Sequence, residues 1–454
     1  MKEREKRKNS RYITGALLGL VILAVLGYGL TGFIETKRLK TPEGIEKRIT
    51  GFAQVVIPFG KYQQVRVLDG EKGIAAVKEK DGFVKLIDFK ENLLLDLKPF
   101  ISIGFCQGRY MALMSSKGWS AIDYEDALNG GKIQQTDFNE IDIPSEGRYY
   151  VGKKYYKKTT DLSSCRVMDY RGNVIYESPY NLKLTSKDGY AVVCPENKPE
   201  KIVELKSGKT VFTMGENENY RYDTDNLWII EKRIYEQPAE DGEKGEITDY
   251  YCYFLDRDFR PALGGKKIKV GDISADGRYM TVSVSENGTS FSGVMNEDGK
   301  IIFSEKERKA EEKDRSYREI IGNTVIAQRW DGKDYALSYI DIGEAEKAGK
   351  PISYSIGKGT ADFCMMDFED GIALVNREKD LSGTSFLFPS FNYAMSSSWY
   401  DGNYENHWME KFEWGFVGKD RKRICDLMFS GAFPSDNRYA AVSVSDMWGV
   451  IQFK

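Results

Sequence analysis

His407 is the sole histidine of the chain, so any chemistry that needs an imidazole must use it. A Ser–His–Asp set built on it would be assembled in space and would leave no local signature. No Gly-x-Ser-x-Gly is present, and Gly288-Thr-Ser-Phe-Ser-Gly293 has the wrong spacing for a nucleophile elbow. No Cys-x-x-Cys or His-Glu-x-x-His occurs, and one histidine cannot build a repeated metal site. Asp223-x-Asp225-Asn226 offers oxygen ligands but lacks the rest of a calcium loop. Paired carboxylates for glycoside hydrolysis are placed by the fold and show no spacing motif. These residues assign no catalytic group, no metal ligand and no cofactor site.

One stretch is suited to recognition. Residues 386–416 hold Phe386, Phe388, Phe391, Tyr393, Trp399, Tyr400, Tyr404, Trp408, Phe412, Trp414 and Phe416, interleaved with Ser396–Ser398, Asn392, Asn403 and Asn406. Aromatic rings supply rigid contact area, and serine and asparagine supply adaptable hydrogen bonds. Trp399, Tyr400, Tyr404, His407 and Trp408 are the candidate recognition surface. Their spacing is too irregular for one strand or helix face to carry all of them, so some must stand at a loop tip. The competing arrangement is an elongated hairpin whose aromatics pack on their own sheet.

The elements that would hold such a loop follow from a repeated unit. In residues 276–303, Met280, Val282 and Val284 alternate with Thr281, Ser283 and Ser285, the period of a half-buried strand. Ser285–Gly288 turns the chain, a second strand follows, and Asn296–Gly299 turns it again toward a third strand. Asp436–Ser445 repeats the first half. The same start, a Gly or Asn followed by an alternating strand, recurs at Gly73, Gly108, Gly147, Gly189, Asn226, Gly277, Asn323, Gly371 and Asn437, with Asn226 the weakest. The mean interval of about 45 residues is that of propeller blades. A strand running into Asp88, Asp123, Asp169, Asp256, Asn296 or Asp341 recurs as the second half, and these side chains read as turn formers. Glu305–Glu319 reads as a charged loop or short surface helix between units, and Glu236–Gly245 as an exposed hairpin tip.

Gly371-Ile-Ala-Leu-Val375, Trp414-Gly415-Phe416-Val417 and Trp448-Gly449-Val450-Ile451 resemble the WG repeat of bacterial envelope proteins. Ser274-Ala-Asp-Gly-Arg-Tyr279 is similar to the Ser-Pro-Asp-Gly-Arg turn of TolB-type and WD-repeat propellers, with Ala275 in place of proline. The likeness runs loosely over residues 50–454. It implies an all-β chain folded as a β-propeller, about eight blades with seven next, and no particular reaction. The last unit carries two strands, and residues 52–68 are placed to complete it, which would remove the open edge of a linear array.

The N-terminus differs in kind. Residues 1–11 form a basic head with six Lys/Arg and two Glu, and Tyr12–Ile34 carries no charge. As a helix, that segment spans about 34 Å, enough for a hydrocarbon core of roughly 30 Å. It is longer than a signal-peptide core and ends without a good cleavage site, so it reads as an uncleaved transmembrane helix. The Gly27-x-Gly29-x-x-Gly32 inside it follows no strand and is not a dinucleotide loop. Gly15-x-x-x-Gly19 fits a helix-dimer motif. The excess of Lys/Arg before the segment over Lys37, Arg38 and Lys40 after it puts the N-terminus in the cytoplasm and the rest outside. Residues 35–48 read as a polar tether, possible helical turn included, and 49–454 as the extracytoplasmic propeller. That part is mildly acidic, which argues against a nucleic-acid partner. Its six cysteines have irregular spacing and read as buried small hydrophobes. The expected function is a membrane-anchored, non-catalytic scaffold for a protein or cell-wall ligand. The alternative is an extracytoplasmic hydrolase with carboxylates in the propeller channel.

Overall fold

The computed structural model describes residues 41–454 except 81, 145–146, 157–160, 187, 236–246, 275, 287–288, 307–314, 322, 331–334, 358–363, 366–370, 379–411, 419–421, 426–427 and 434. Tyr12–Ile34 therefore lies outside the described residues, and among those described no helix is long and apolar enough to cross a membrane. The described strands make nine small antiparallel sheets, one for each unit start. Their second strands are, in order, Ile74–Lys78, Tyr110–Met114, Tyr149–Tyr155, Tyr190–Cys194, Trp228–Tyr235, Tyr279–Glu286, Thr324–Trp330, Ile372–Glu378 and Tyr439–Val444. We number the sheets 1 to 9 on these strands. The count is one above the expected eight. The weak start at Asn226 does not belong to a neighbour; it heads sheet 5, where Trp228, Ile229 and Ile230 are all buried.

The glycine starts share a backbone reason. Gly73, Gly108, Gly147, Gly189, Gly277 and Gly371 all have positive φ, as do Asn437 and Arg438 at the last start. Glycine takes that conformation without a Cβ clash, and asparagine tolerates it better than most.

Each second strand is buried on both faces, which corrects the half-buried reading. Ala75 and Val77 face one core and Ile74 and Ala76 the next. Thr281, expected on the polar side, is 4% exposed, and its hydroxyl accepts from the Asp272 amide at 2.7 Å. The reason is stacking. Among the described residues, eight hydrophobic cores each lie between two successive sheets, at every junction but that of sheets 7 and 8: from sheets 1 and 2 (Ile74, Leu86, Ile103, Met111) to sheets 6 and 7, then sheets 8 and 9 (Leu374, Phe416, Val442, Ile451) and sheets 9 and 1 (Ala441, Val450, Val65, Val77). Sheets stacked in sequence order, with the last joined to the first, are the arrangement of a β-propeller.

Sheet 9 closes the array as expected. Ala53–Tyr62 pairs antiparallel with Met447–Phe453, matching Ala53 to Phe453, Val55 to Ile451 and Tyr62 to Trp448. Gly449 makes room for this strand, since a Cβ there would sit 2.9 Å from the Ile57 carbonyl oxygen and 3.0 Å from the Phe59 ring. The second half of the expected tether is also ordered. Pro42–Ile49 is a helix, capped by the Thr41 hydroxyl, with Pro42 in its first turn. Ile45 and Ile49, one helical turn apart, are fully buried in the core of sheets 8 and 9. The charged run is corrected in part. Arg315–Ile321 is the first strand of sheet 7: a register shift between Tyr317 and Glu319 lets Tyr317 and Ile320 pack on the same core, and the Tyr317 hydroxyl donates to Glu305 at 2.6 Å.

Candidate functional site: the hairpin end and the inner strands

In every sheet the second and third strands form a hairpin, so all nine of these hairpins leave the array at the same end. Most connections there are short: Glu286 pairs with Thr289 in sheet 6, and Val444 with Met447 in sheet 9. Sheet 8 differs. Its strands Ile372–Glu378 and Phe412–Gly418 are paired from Ile372–Gly418 up to Glu378–Phe412, and residues 379–411 are inserted between those last partners. Trp399, Tyr400, Tyr404, His407 and Trp408 fall in this insertion and lie outside the described residues. Its base is fixed. Leu374, Trp414 and Phe416 are buried in the core between sheets 8 and 9, and Phe416 meets Phe429 and Phe453 edge-on. Trp414 and Phe416, counted above with the aromatic stretch, are thus packing residues. Residues 236–246, expected as an exposed hairpin tip between Tyr235 and its partner Ile247 of sheet 5, lie outside the described residues.

The first strand of each sheet faces the axis. Gln64 of sheet 1 accepts from the Ile103 amide of sheet 2 at 3.1 Å, and Asp272 of sheet 6 accepts from the Ile320 amide of sheet 7 at 2.7 Å. The fourth strands lie outside, with Leu93 58% and Leu94 41% exposed in sheet 1. Two first strands begin with the same construction. Glu140 of sheet 3 receives the Lys153 ammonium at 2.6 Å and the Tyr155 hydroxyl at 2.7 Å. Glu218 of sheet 5 receives the Tyr253 hydroxyl at 2.8 Å, the Gly215 amide at 2.7 Å and Lys232 at 3.2 Å. Burial pushes the Glu218 carboxyl up, but these donors outweigh it and hold it below the ordinary value. A carboxylate held ionised this way is a poor proton donor. Asp272 shifts the other way: burial raises it, against the opposing pull of the Ile320 amide. Among the described residues no group of three or more His, Cys, Asp or Glu is placed to hold a metal ion.

The opposite end is tied together by the turn residues. Asp88 accepts from the Lys90 and Asn92 amides at 2.9 and 2.8 Å, and Asp169 repeats this with Arg171 and Asn173 at 3.0 and 2.8 Å. Asn296 accepts from the Asp298 and Lys300 amides, and Asp256 from those of Asp258 and Arg260. Asp123 and Asp341 cap the short helices Tyr124–Leu128 and Ile342–Ala348. The turn reading of these side chains holds.

Asp223, weighed above as a calcium ligand, has another task. It is fully buried and accepts from the Ser186 amide of sheet 4 at 2.8 Å, from the Tyr220 hydroxyl at 2.5 Å and from Arg257 at 3.1 Å. Asn226 donates to Asp298 of sheet 6 at 2.6 Å. Asp223 thus staples sheet 4 to sheet 5, with a guanidinium where a cation would sit. Equivalent links join Asp436 to the Gly70 amide at 2.6 Å and Asp188 to the Arg148 amide at 3.1 Å. The pairings across sheets cannot be read from local spacing. Cys165, Cys252 and Cys425 are buried, as expected, and burial pushes the Cys165 and Cys252 thiols up to about 11; Cys106 and Cys194 are only half-buried.

No protein-family model matches the sequence, and no curated protein matches it significantly. Some solved structures match at low identity. The computationally designed Ika8 protein is 11% identical, with 88% of this chain and all of that chain covered and a TM-score of 0.38. Sqt1 of Saccharomyces cerevisiae is 8% identical, with 72% and 94% covered and a TM-score of 0.32. BamB of Moraxella catarrhalis is 13% identical, with 60% and 83% covered and a TM-score of 0.25.

Proposed function

We propose that this chain is a non-catalytic binding scaffold: a propeller of the WG-repeat kind, held outside the cell by the helix Tyr12–Ile34, that takes a protein or cell-wall ligand. The insertion 379–411 is its recognition loop, and Trp399, Tyr400, Tyr404, His407 and Trp408 are the contact residues. The observation that carries this reading is the base of the insertion. An aromatic-rich segment leaves and re-enters a sheet through fully paired strands whose Leu374, Trp414 and Phe416 are buried. Recognition loops on rigid scaffolds are built this way. The donors gathered on Glu140 and Glu218 weigh against the hydrolase alternative, because both carboxylates already serve as internal acceptors.

Partner capture from envelope extract tests the reading. The full chain should retain a partner that a Trp399→Ala/Trp408→Ala double variant loses, with the two melting at the same temperature. Equal capture, or a double variant that melts much lower, would show that these rings are sheet packing and that the site lies elsewhere.

A further inference from the structure

The chain enters the propeller at the end opposite the hairpins. In sheet 9, Val444 and Met447 flank the hairpin connection, so Phe453 and its partner Ala53 lie at the other, turn end. Lys454 ties that entry down: its amide donates to the Phe52 carbonyl at 3.2 Å and its ammonium to the Thr50 carbonyl at 2.6 Å. The helix Pro42–Ile49 leads into this point, and its eight residues span about 12 Å. Between Ile34 and Thr41 stand six residues, a reach of roughly 25 Å even when fully extended. A bilayer crossed by Tyr12–Ile34 would thus lie beside the turn end, whereas the 379–411 insertion leaves from the hairpin end.

The turn end carries exposed aliphatic side chains at corresponding positions. Leu93 of sheet 1, Val174 of sheet 3 and Ile301 of sheet 6 each open the outer strand directly after a turn. They pair with Ile87, Met168 and Met295, the residues just before those turns. Leu94 and Val211 hold the second position of the outer strand in sheets 1 and 4. The register shifts at the same place in all four sheets, and such a shift re-aims the side chains beside it. Val174 is 51% exposed, Val211 41% and Ile301 39%.

Single exposed aliphatics are ordinary on a protein surface. Here they recur on the rim of one end, and that end is the one from which the chain departs toward Tyr12–Ile34. A protein partner would need a pocket for each separate side chain, whereas a lipid surface meets a rim without any. Apolar side chains enter the boundary between head groups and acyl chains. A weak contact suffices, because an anchored domain faces its membrane at high effective concentration.

We propose that the turn end is a membrane-contact face: Leu93, Leu94, Val174, Val211 and Ile301 rest in the lipid interface, and the 379–411 insertion is presented away from the bilayer. This rests on the reading of Tyr12–Ile34 as a membrane span. The test is photocrosslinking of the full chain in phosphatidylcholine vesicles. The photoreactive residue p-benzoylphenylalanine is placed at Val174, at Val211 or, in the hairpin connection of sheet 4, at Lys198, all of them exposed. Val174 and Val211 should form covalent phospholipid adducts, and Lys198 none. Val174→Asp/Ile301→Asp should lower the adduct yield at Val211, because a carboxylate is expelled from the interface. Equal adducts at Lys198 and Val211 would mean that the domain tumbles on its tether, and an unchanged yield in the double variant that the side chains do not hold the face down; either overturns the contact. A chain that floats with the vesicles but forms no adduct overturns the contact and leaves the anchor standing. A chain that does not float with them overturns the anchor, and this contact with it.

Discussion

At the scale of single residues, the polar groups that the sequence offers for chemistry are mostly spent on holding sheets together. Asp223 shows this best. Its carboxylate is buried with Arg257, and removing it leaves a guanidinium without its counter-charge. Asp223→Ala should therefore destabilise the chain by about 3–5 kcal/mol, read as a lower urea midpoint; an unchanged midpoint would mean the link between sheets 4 and 5 contributes nothing. Glu218 gives a pH signature. Its carboxyl is lowered from an ordinary 4.5. A depressed acid adds stability that is present above its unfolded value and lost as pH falls through the folded one. Glu218→Gln should cost about 1–2 kcal/mol at neutral pH, and the gap from the unaltered chain should narrow as pH drops below about 4. A gap that stays constant through the acid range would assign the effect to packing. The turn aspartates were legible from sequence because their partners lie two to four residues away. Asp223 was not: Tyr220 is local, but the partners that make it a link, Ser186 and Arg257, lie more than thirty residues away on either side, and no local pattern encodes them.

At the scale of elements, the unit starts were legible for the same reason: a positive φ at glycine and an alternating strand are both local. Nine starts gave nine sheets. Merging the Asn226 start with a neighbour undercounted by one, because polar Asp223–Asn226 hides the buried Trp228–Ile230 that follows. The helix Pro42–Ile49 was read only as a turn within a tether, since two isoleucines amid charged residues show a face only when something packs on it. The closing strand was legible as the missing part of an incomplete unit. Removing residues 49–68 takes away Ala53–Tyr62 and the first strand of sheet 1, and leaves Met447–Phe453 as an open edge. The truncated chain should melt well below the intact one in calorimetry. An identical melting temperature would refute closure as a source of stability.

At the scale of the whole molecule, stacking explains why nearly every second strand is apolar on both faces, a feature that alternation alone assigns wrongly. It also explains why the native thiols are unsuited to reporting topology: Cys165 and Cys252 are buried with raised pKa. Lys198, in the exposed hairpin connection of sheet 4, is a better reporter position. If the head at residues 1–11 stays in the cytoplasm, Lys198→Cys should react with a membrane-impermeant maleimide on intact cells. Reaction only after lysis would reverse the orientation.

The antiparallel pairing of Ala53–Tyr62 with Met447–Phe453 also has a meaning in time. The first of these strands leaves the ribosome long before its partner exists. At about 5–20 residues per second, the wait is roughly 20–80 s. Throughout it, Ala53–Tyr62 has no hydrogen-bonded neighbour, and the faces of Val65, Ala75 and Val77 that sheet 9 will cover stand bare. The nascent chain thus carries a sticky strand and a greasy flank until Tyr439–Val444 and Met447–Phe453 emerge and shield both.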